Sequence, residues 1–469
     1  MSSTAATAAR RELTGFKGRL TGPEDSGYDE ARAIYNAMTE RRPAVVASCA
    51  DDGDVAKAIA FARRHGLPLA VRSGGHHGAG LGSVDDGLVV DLSPMKAIEV
   101  DAAARTVRVE GGCVWGEVDR ATHAHGLATP SGIISTTGVG GLTLGGGLGH
   151  LTRSCGLTID NLLQADLVLA DGRRVRASAD DHQDLYWAIR GGGGNFGVVT
   201  SFTFRLHEVG TVIAGPTFWP VELTAEVLSA YAGFLPGAPR DLNGFFLVGA
   251  VPPADPFPRE LWGRKICGVV WHYRHDDLPA ALREMEPLLS LLPEPLLHGP
   301  HQVPHPGIQS AFDGLYPPGH QWYWRADFVK DVPPDAAALH AKFAAELPTG
   351  QSTMHLYPVD GAAHDVSSTD TAWSYREARF ASVFAGVDPD PAKAPLLRQW
   401  TVDYFEALHP FSAGGAYVNM MMDEGRERVR ASYRDNYPRL SRVKAAYDPE
   451  NVFRVNQNIL PAPARETRP

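Results

Sequence analysis

Apolar positions between residues 28 and 208 recur first with the period of helices and then mostly with that of strands. Helices are predicted over 28–40, 55–65, 114–125 and 185–190. Strands are predicted over 44–47, 87–91, 97–101, 106–110, 163–170, 173–177 and 198–206. The dipeptide Asp171-Gly172 suits a two-residue turn, so the two strands around it should form a hairpin.

The pattern changes after residue 209, where prolines and aromatic residues become frequent. Predicted helices over 223–235, 276–292, 334–347 and 391–408 alternate with predicted strands over 243–251, 265–274, 321–329 and 352–359. This alternation predicts a region of its own, in which a sheet is backed by helices. A helix over 423–447 and an irregular tail over 449–459 follow. The expected fold class is α+β.

Composition narrows the class of protein. The 469 residues are 44% apolar and 21% charged, which is typical of a globular enzyme. A net charge of −10 argues against nucleic-acid binding and against a basic membrane-binding surface, and no apolar run is long enough to span a bilayer. Arg10-Arg11 is not followed by a hydrophobic segment, so an export signal is not predicted.

The number and spacing of the cysteines also exclude certain kinds of site. The four cysteines form no C-x-x-C pair, which argues against a structural zinc site and against a disulfide framework; they are Cys49, Cys113, Cys155 and Cys267. We therefore expect no metal site and a reducing, cytoplasmic location.

Three glycine clusters carry the candidate chemistry. The first is Val71-Arg-Ser-Gly-Gly-His-His-Gly78, in which two glycines and a histidine pair follow an apolar run. In the second, over 138–149, seven of twelve residues are glycine, which predicts a ligand lying against bare main chain. The third, over 191–197, matches G-x-G-x-x-G. Because a helix precedes it and a strand follows it, the reverse of a dinucleotide motif, a nicotinamide-binding Rossmann domain is not expected.

In their order and spacing, five segments resemble the flavin oxidases of the vanillyl-alcohol oxidase and p-cresol methylhydroxylase superfamily. Within it, the chain is most similar to the berberine bridge enzyme group and its hydroxynicotine oxidase-like bacterial relatives. The segments that carry the resemblance are 71–76, 111–112, 129–141, 186–200 and 447–458.

The resemblance implies a division of the chain into three parts. Residues 1–208 would form a p-cresol methylhydroxylase-type FAD-binding domain of two subdomains. Residues 209–415 would form an α/β substrate domain with a sheet backed by helices, and 416–469 would return to the FAD-binding domain.

The resemblance also implies site residues. His76 would be bonded covalently to the flavin, with His77 as the competing residue; the position that carries a second, cysteinyl link in some relatives is Ile134 here, so a single link is expected. Further FAD contacts would come from Arg72, Ser73, Gly74, Gly75, His77, Gly80, Thr137, Gly138, Gly140, Gly141, Thr143, Gly147, Asn195, Gly197, Val199, Asn456 and Asn458. Without the resemblance, the two tail asparagines suit ordinary turns.

On the substrate side, Tyr417-Val418-Asn419 matches a Tyr-x-Asn pattern that relatives place near the reactive face of the flavin. Tyr417 would orient the substrate or, with a lowered pKa, act as a base, and Asn419 would assist it; a half-buried strand tyrosine is the alternative. In the strand around Tyr323, alternation puts Trp322 and Trp324 on the opposite face. Tyr323 is our candidate for the pocket, with His355, Tyr357 and Asp360 as further ones.

The resulting hypothesis is an FAD-dependent oxidase. Hydride would leave a C–H bond next to a hydroxyl or amine of a small molecule, and oxygen would be the acceptor, giving hydrogen peroxide. One alternative is a natural-product tailoring flavoenzyme that cyclises or oxygenates its substrate. Another is a non-catalytic small-molecule binding protein on the same scaffold, against which the intact His76 and glycine clusters argue.

Overall fold

The computed structural model describes residues 2–463. Its α-helices, numbered in chain order, are α1 Ser2–Glu12, α2 Tyr28–Arg32, α3 Asp52–Arg64, α4 Trp115–His123, α5 Val139–Gly145, α6 Thr152–Cys155, α7 Gln183–Ile189, α8 Thr224–Phe234, α9 Leu278–Leu289, α10 His305–Gln309, α11 Pro334–Ala345, α12 Ala394–Leu408, α13 Gly425–Tyr433 and α14 Tyr437–Tyr447.

The strands are β1 Arg19–Thr21, β2 Val45–Ser48, β3 Leu69–Arg72, β4 Leu88–Asp91, β5 Ile98–Asp101, β6 Thr106–Glu110, β7 Leu127–Ala128, β8 Leu162–Val168, β9 Arg174–Ser178, β10 Val198–Arg205, β11 His207–Glu208, β12 Thr211–Pro220, β13 Leu242–Ala250, β14 Lys265–Tyr273, β15 Leu297–His298, β16 His301–Pro304, β17 Gln321–Val329, β18 Thr353–Pro358 and β19 Phe380–Asp388. No described helix has the length and apolarity that crossing a bilayer requires.

Two larger sheets and a two-stranded one, formed by β7 and β11, lie in the first 208 residues. In one, β2, β4 and β3 run parallel, with β1 antiparallel at the edge, and α3 packs its apolar face on them. The other is antiparallel, in the order β5-β6-β10-β8-β9, and includes the expected hairpin β8–β9. Since β3 ends at Arg72, the first glycine cluster begins at the carboxyl end of a parallel strand, where α/β sheets commonly bind ligands.

One large antiparallel sheet dominates the region from residue 209. Its strand order is β15-β12-β14-β13-β18-β19-β17, and β16 also pairs with β12. Side chains alternate between its faces: Phe246 and Phe384 pack with α8, α9, α11 and α12, whereas Phe245 and Val383 face the other way. Because the long helices α8, α9, α11 and α12 all cover the same face, part of the other is available to form a cavity wall.

Several predicted elements differ from the observed ones. The helix expected over 28–40 ends at Arg32, because Asn36 bonds backbone instead: its amide donates to the carbonyls of Gly78 and Trp322, and its Oδ1 accepts from Trp322 N–H. The helix expected over 423–447 is interrupted at Arg434, which has a φ of 43°. Strands β12 and β19 were not predicted, since β12 contains prolines and β19 is buried throughout without polar alternation.

The C-terminal segment packs against the first 208 residues. The buried Lys444 ammonium donates to the carbonyls of Asn195 and Phe453 and to Asp448, and Ile459 N–H donates to Asn195 Oδ1. The tail from Pro449 is irregular, as predicted. The proposed boundaries at 208/209 and 415/416 stay a prediction, and residues 464–469 of the last part lie outside the described residues.

Candidate active site

A cavity of about 310 Å³ lies between the glycine clusters and the open face of the large sheet. On one side it is lined by residues from 69–82, 132–144, 193–199 and 453–457. Further lining residues come from β17, β18 and β19 and from 417–420, together with the single residues Tyr35, Leu92, Leu148, Tyr316 and Tyr433. The fold therefore brings all three glycine clusters and the tail to one place.

Close contact between the first two clusters explains two of the glycines. A Cβ on Gly74 would lie 2.3 Å from the backbone nitrogen of Gly138, and a Cβ on Gly138 would lie 2.1 Å from that of Gly74. Side chains at either position would separate the loops. Here the glycines are required by the protein's own main chain rather than by a ligand.

Contacts within the protein also explain the glycines at the end of the second cluster, for which the sequence predicts contact with a ligand. A Cβ on Gly145 would lie 2.2 Å from Asn419, one on Gly146 2.3 Å from Trp373, and one on Gly147 2.1 Å from Thr158. Gly146 and Gly147 also have positive φ angles. The glycine-rich composition of this stretch therefore reflects tight packing between loops.

Two other lining glycines have no such explanation. A Cβ on Gly141 or on Gly194 would meet no described atom within 4 Å, although both residues border the cavity. Protein packing does not require glycine at these two positions, whereas a bound group against the main chain would. The cavity therefore fits a cofactor held largely by backbone.

His76 lies in the cavity wall, with its ring stacked on Tyr35 at a centroid distance of 4.0 Å. Its Nε2 is 3.1 Å from the hydroxyl of Thr136. Burial lowers the pKa of the His76 imidazole to about 4, so the ring is neutral at pH 7 and retains a nucleophilic nitrogen.

His77 also lines the cavity, but one of its nitrogens is already used. Its Nδ1 accepts a hydrogen bond from Ala79 N–H, which places the ring proton on Nε2. Burial lowers the pKa of this imidazole to about 4 as well. His77 is therefore a weaker candidate for attachment than His76, because its free nitrogen carries hydrogen.

The polar residues around the clusters mostly join loops. The Arg72 guanidinium lines the cavity, but it donates to Asp91 and to the carbonyls of Ala31 and Ala33. Ser73 Oγ accepts from Gly140 N–H at 3.3 Å. These bonds fix the shape of the first cluster.

Two asparagines tie the third cluster to the tail. The Asn195 amide donates to the carbonyls of Gly192 and Gln457, and the Asn456 amide donates to those of Gly194 and Phe453. The buried Oδ1 of Asn456 has no hydrogen-bond partner among the described residues, which leaves an acceptor beside the cavity.

The structure divides the expected FAD contacts into two groups. Those that line the cavity are Arg72, Ser73, Gly74, Gly75, His76, His77, Thr137, Gly138, Gly140, Gly141, Asn195, Gly197, Val199 and Asn456. Outside its lining are Gly80, Thr143, Gly147 and Asn458. Gly80 forms a turn with a φ of 70° against Thr39, and Gly147 N–H donates to Tyr417, so these two serve the protein's own packing.

Tyr417 and Asn419 both line the cavity. The Tyr417 hydroxyl oxygen accepts from Gly147 N–H at 3.0 Å and from the Asn419 amide at 2.7 Å. Burial raises the pKa of Tyr417 to about 12, although both bonds oppose that rise. The condition for a base, a lowered pKa, is not met. With both lone pairs occupied, the neutral phenol has its O–H hydrogen left to donate.

The expected role of Tyr323 is corrected by the structure. Its ring lies near the guanidinium groups of Arg325 and Arg398, the latter on α12, and it is absent from the cavity lining. Trp322 and Trp324, on the alternate face of β17, line the cavity instead. The sequence contained a signal for this arrangement, because the two indoles that flank Tyr323 define the larger apolar face of β17.

The neighbouring strands supply residues that the sequence identified only in part. His355 and Tyr357 of β18 line the cavity, as expected, but Asp360 instead pairs with the buried Arg153 at 2.8 Å. Thr353, Val383 and Ala385 were missed. The last two lie on β19, and without that strand no alternation rule could place them.

Two family models match the chain. One is described as an FAD binding domain and covers residues 43–178; the other, described as berberine and berberine like, covers 416–460. (R)-6-hydroxynicotine oxidase of Paenarthrobacter nicotinovorans is 30% identical over 473 residues, covering 95% of this chain and 97% of that one. An FAD-linked oxidoreductase of Dictyostelium discoideum is 32% identical over 418 residues, with coverage of 87% and 86%.

Solved structures share the fold. The crystal structure of 6-hydroxy-D-nicotine oxidase from Arthrobacter nicotinovorans has a TM-score of 0.84 at 27% identity, covering 95% of this chain and 98% of that one. Glucooligosaccharide oxidase from Acremonium strictum, described with a 6-S-cysteinyl, 8α-N1-histidyl FAD, has a TM-score of 0.86 at 21% identity, covering 99% and 100%. The second likeness concerns the fold alone. The α+β architecture expected from the sequence is confirmed.

Proposed function

The chain belongs to the berberine bridge enzyme-like family of FAD-linked oxidoreductases, and from that premise we propose that it is an oxidase of small molecules. Hydride leaves a C–H bond adjacent to a hydroxyl or amine, and oxygen is the final acceptor, giving hydrogen peroxide. One observation carries the proposal: His76, the three glycine clusters and Tyr417 border the same cavity as the open face of the large sheet.

Different lining residues are proposed to bind the cofactor and the substrate. The main chain at Gly141 and Gly194, the side chain of Asn456 and the first cluster would hold FAD. When bound, FAD supplies the hydride acceptor. The sheet face and the aromatic residues around it bind the substrate and exclude water.

We assign the covalent link to His76. Its imidazole is neutral, and when Nε2–H donates to the Thr136 hydroxyl, Nδ1 keeps its lone pair for a bond to the 8α carbon of the flavin. No cysteine appears in the cavity lining within residues 2–463, and Ile134 lines it at the position where some relatives carry one. A single link follows.

Tyr417 is proposed as a hydrogen-bond donor that orients the substrate, with Asn419 and Gly147 fixing its oxygen. A neutral phenol with a raised pKa does not remove a proton at pH 7, so its role is positioning a polar group of the substrate.

The link is tested on denaturing gels. Wild-type protein should be yellow and its band should keep flavin fluorescence in acid. His76→Ala should lose that fluorescence, whereas His77→Ala, the matched control, should keep it. Fluorescence retained by His76→Ala would show that the assigned bond is wrong.

The activity is tested separately from the link. Wild-type enzyme is mixed anaerobically with a panel of alcohols, sugars and amines, and the flavin absorbance is followed. We expect at least one member to bleach the flavin, and admission of oxygen to restore the colour with one equivalent of hydrogen peroxide. Peroxide-free reoxidation would contradict the oxidase assignment.

A further inference from the structure

The open sheet face forms a slot, defined here by Trp322, Trp324, Thr353, His355, Tyr357, Val383 and Ala385 and called the sheet slot. Strand β19 lies between β17 and β18, and Ala385 pairs with Trp324 on one side and with Thr353 on the other. A small side chain between two larger ones leaves a trough along β19. The trough has an indole wall on the β17 side and a polar wall on the β18 side, which suits a flat ligand.

His355 and Tyr357 form the polar wall. His355 Nδ1 and the Tyr357 hydroxyl are 2.6 Å apart, and Phe245 packs behind them with its ring centroid 5.1 Å from each ring. Burial lowers the pKa of His355 to about 3 and raises the pKa of Tyr357, so both are uncharged at pH 7. A neutral imidazole paired with a phenol can both donate to and accept from a hydroxyl group.

The lining carries almost no charge. It includes no aspartate, glutamate or lysine among residues 2–463. Its one guanidinium, that of Arg72, is bonded to Asp91 and to two carbonyls. A charged ligand would lose its hydration in the slot without gaining a counter-ion, which is unfavourable.

We propose that the substrate is a flat, uncharged aromatic alcohol that lies in the sheet slot with a hydroxyl bonded by the His355–Tyr357 pair. This inference rests on the proposed oxidase function and narrows it, since an aliphatic amine is protonated at pH 7. Tyr357 and His355 are positioning residues for this ligand.

Four ligands with one ring system test the chemistry. They are 2-naphthalenemethanol, 2-naphthalenemethylamine, 2-naphthoate and 2-methylnaphthalene, and their dissociation constants are measured by anaerobic equilibrium dialysis against the holoenzyme at pH 7. We expect the alcohol to bind at least tenfold more tightly than the amine and the carboxylate. Failure of the alcohol to bind, or equal or tighter binding of either ion, overturns the inference.

Two Tyr→Phe variants test the assigned contact. Tyr357→Phe should weaken binding of the alcohol about tenfold and leave that of 2-methylnaphthalene within about twofold, since one hydrogen bond is lost. Tyr404→Phe is the control: His340 Nδ1 and the Tyr404 hydroxyl form the same pair at 2.7 Å, buried on the helix-covered side outside the lining. Tyr404→Phe should change neither constant.

The variants and the flavin absorbance together distinguish a failure of the slot assignment from a failure of the oxidase assignment. An equal loss for both ligands in Tyr357→Phe, or the same loss in Tyr404→Phe, means that the pair does not bind the hydroxyl. If only the amine bleaches the flavin, the oxidase assignment stands and the inference fails. If the binding order holds but no compound in the wider panel bleaches the flavin, the slot assignment stands and the oxidase assignment fails.

Discussion

The environment of single residues decides their chemistry here, and Tyr417 is the clearest case. Its oxygen accepts two N–H groups, yet burial still raises its pKa to about 12. The sequence allowed either a base or an orienting group. The buried position favours the orienting group, because an ionised phenolate would be poorly solvated there.

Replacing Tyr417 with Phe should lower kcat by roughly 10- to 100-fold, because one hydrogen bond to the reacting substrate is removed. The covalently bound flavin, measured by absorbance after denaturation, should be unchanged. In the wild-type enzyme, kcat should show no inflection from this group between pH 7 and 10, since its pKa lies above that range. An inflection near pH 9 that disappears in Tyr417→Phe would argue for a base instead.

Among the structural elements, we expect the junction of α14 with the tail to be the most sensitive to single substitutions. Lys444 and Asp448 are both fully buried and 2.6 Å apart. The Lys444 ammonium also donates to the carbonyl of Asn195 in the third cluster, and Asp448 accepts from Val452 N–H and Phe453 N–H. The pair therefore fixes the tail beside the cavity.

Lys444→Met should destabilise the protein by about 3–5 kcal/mol, because it leaves a buried carboxylate without its partner. The measurement is the midpoint of thermal unfolding, together with flavin content per chain, which should fall as the tail loosens. Lys444→Met combined with Asp448→Asn provides the control, since it removes the charge but keeps an acceptor oxygen. The double variant should recover part of the lost stability; no recovery would mean that the lost hydrogen bonds, not the unpaired charge, cause the effect.

At the scale of the whole molecule, a buried polar contact joins the region before residue 209 to the one after it. Asp119 on α4 accepts from the Gln309 amide on α10 at 3.4 Å, and Gln309 also bonds Ser131. Burial raises the pKa of the Asp119 carboxyl to about 7, against the opposing effects of Gln309 and Arg120.

This raised pKa predicts a pH-dependent stability. Between about pH 4 and 7 the folded chain keeps the Asp119 proton and the unfolded chain does not, so the folded state is favoured less as pH rises through this interval. Asp119→Asn cannot ionise and should lose that dependence. The thermal unfolding midpoint of the variant minus that of the wild type should be several degrees more positive at pH 8 than at pH 4.5.

The exposed Asp423 offers the matched control for that experiment. Asp423→Asn measures what the loss of one exposed carboxylate does to the midpoint at each pH value. The assignment fails if Asp119→Asn shows no larger difference between the two pH values than this control, because the Asp119 carboxyl of the wild type would then titrate alike in the folded and unfolded chains.

The local elements and the FAD family could be predicted from the sequence, because turns, helix periods and short glycine motifs depend on neighbouring residues. The prediction of a helix over 28–40 was wrong beyond Arg32, because Asn36 forms hydrogen bonds with backbone groups distant in the sequence. Strand β19 was not predicted, because a strand buried on both faces has no polar alternation.

The amino-acid order by itself determined that the first glycine cluster follows a strand and the third precedes one, that His76 stands in the first, and that Trp322 and Trp324 share a face. Only the tertiary structure decided which glycines serve protein packing, that Tyr323 lies outside the cavity lining, and that Tyr417 stays protonated. The physical reason is that space, burial and charge at a site are set by residues hundreds of positions apart, which no local pattern records.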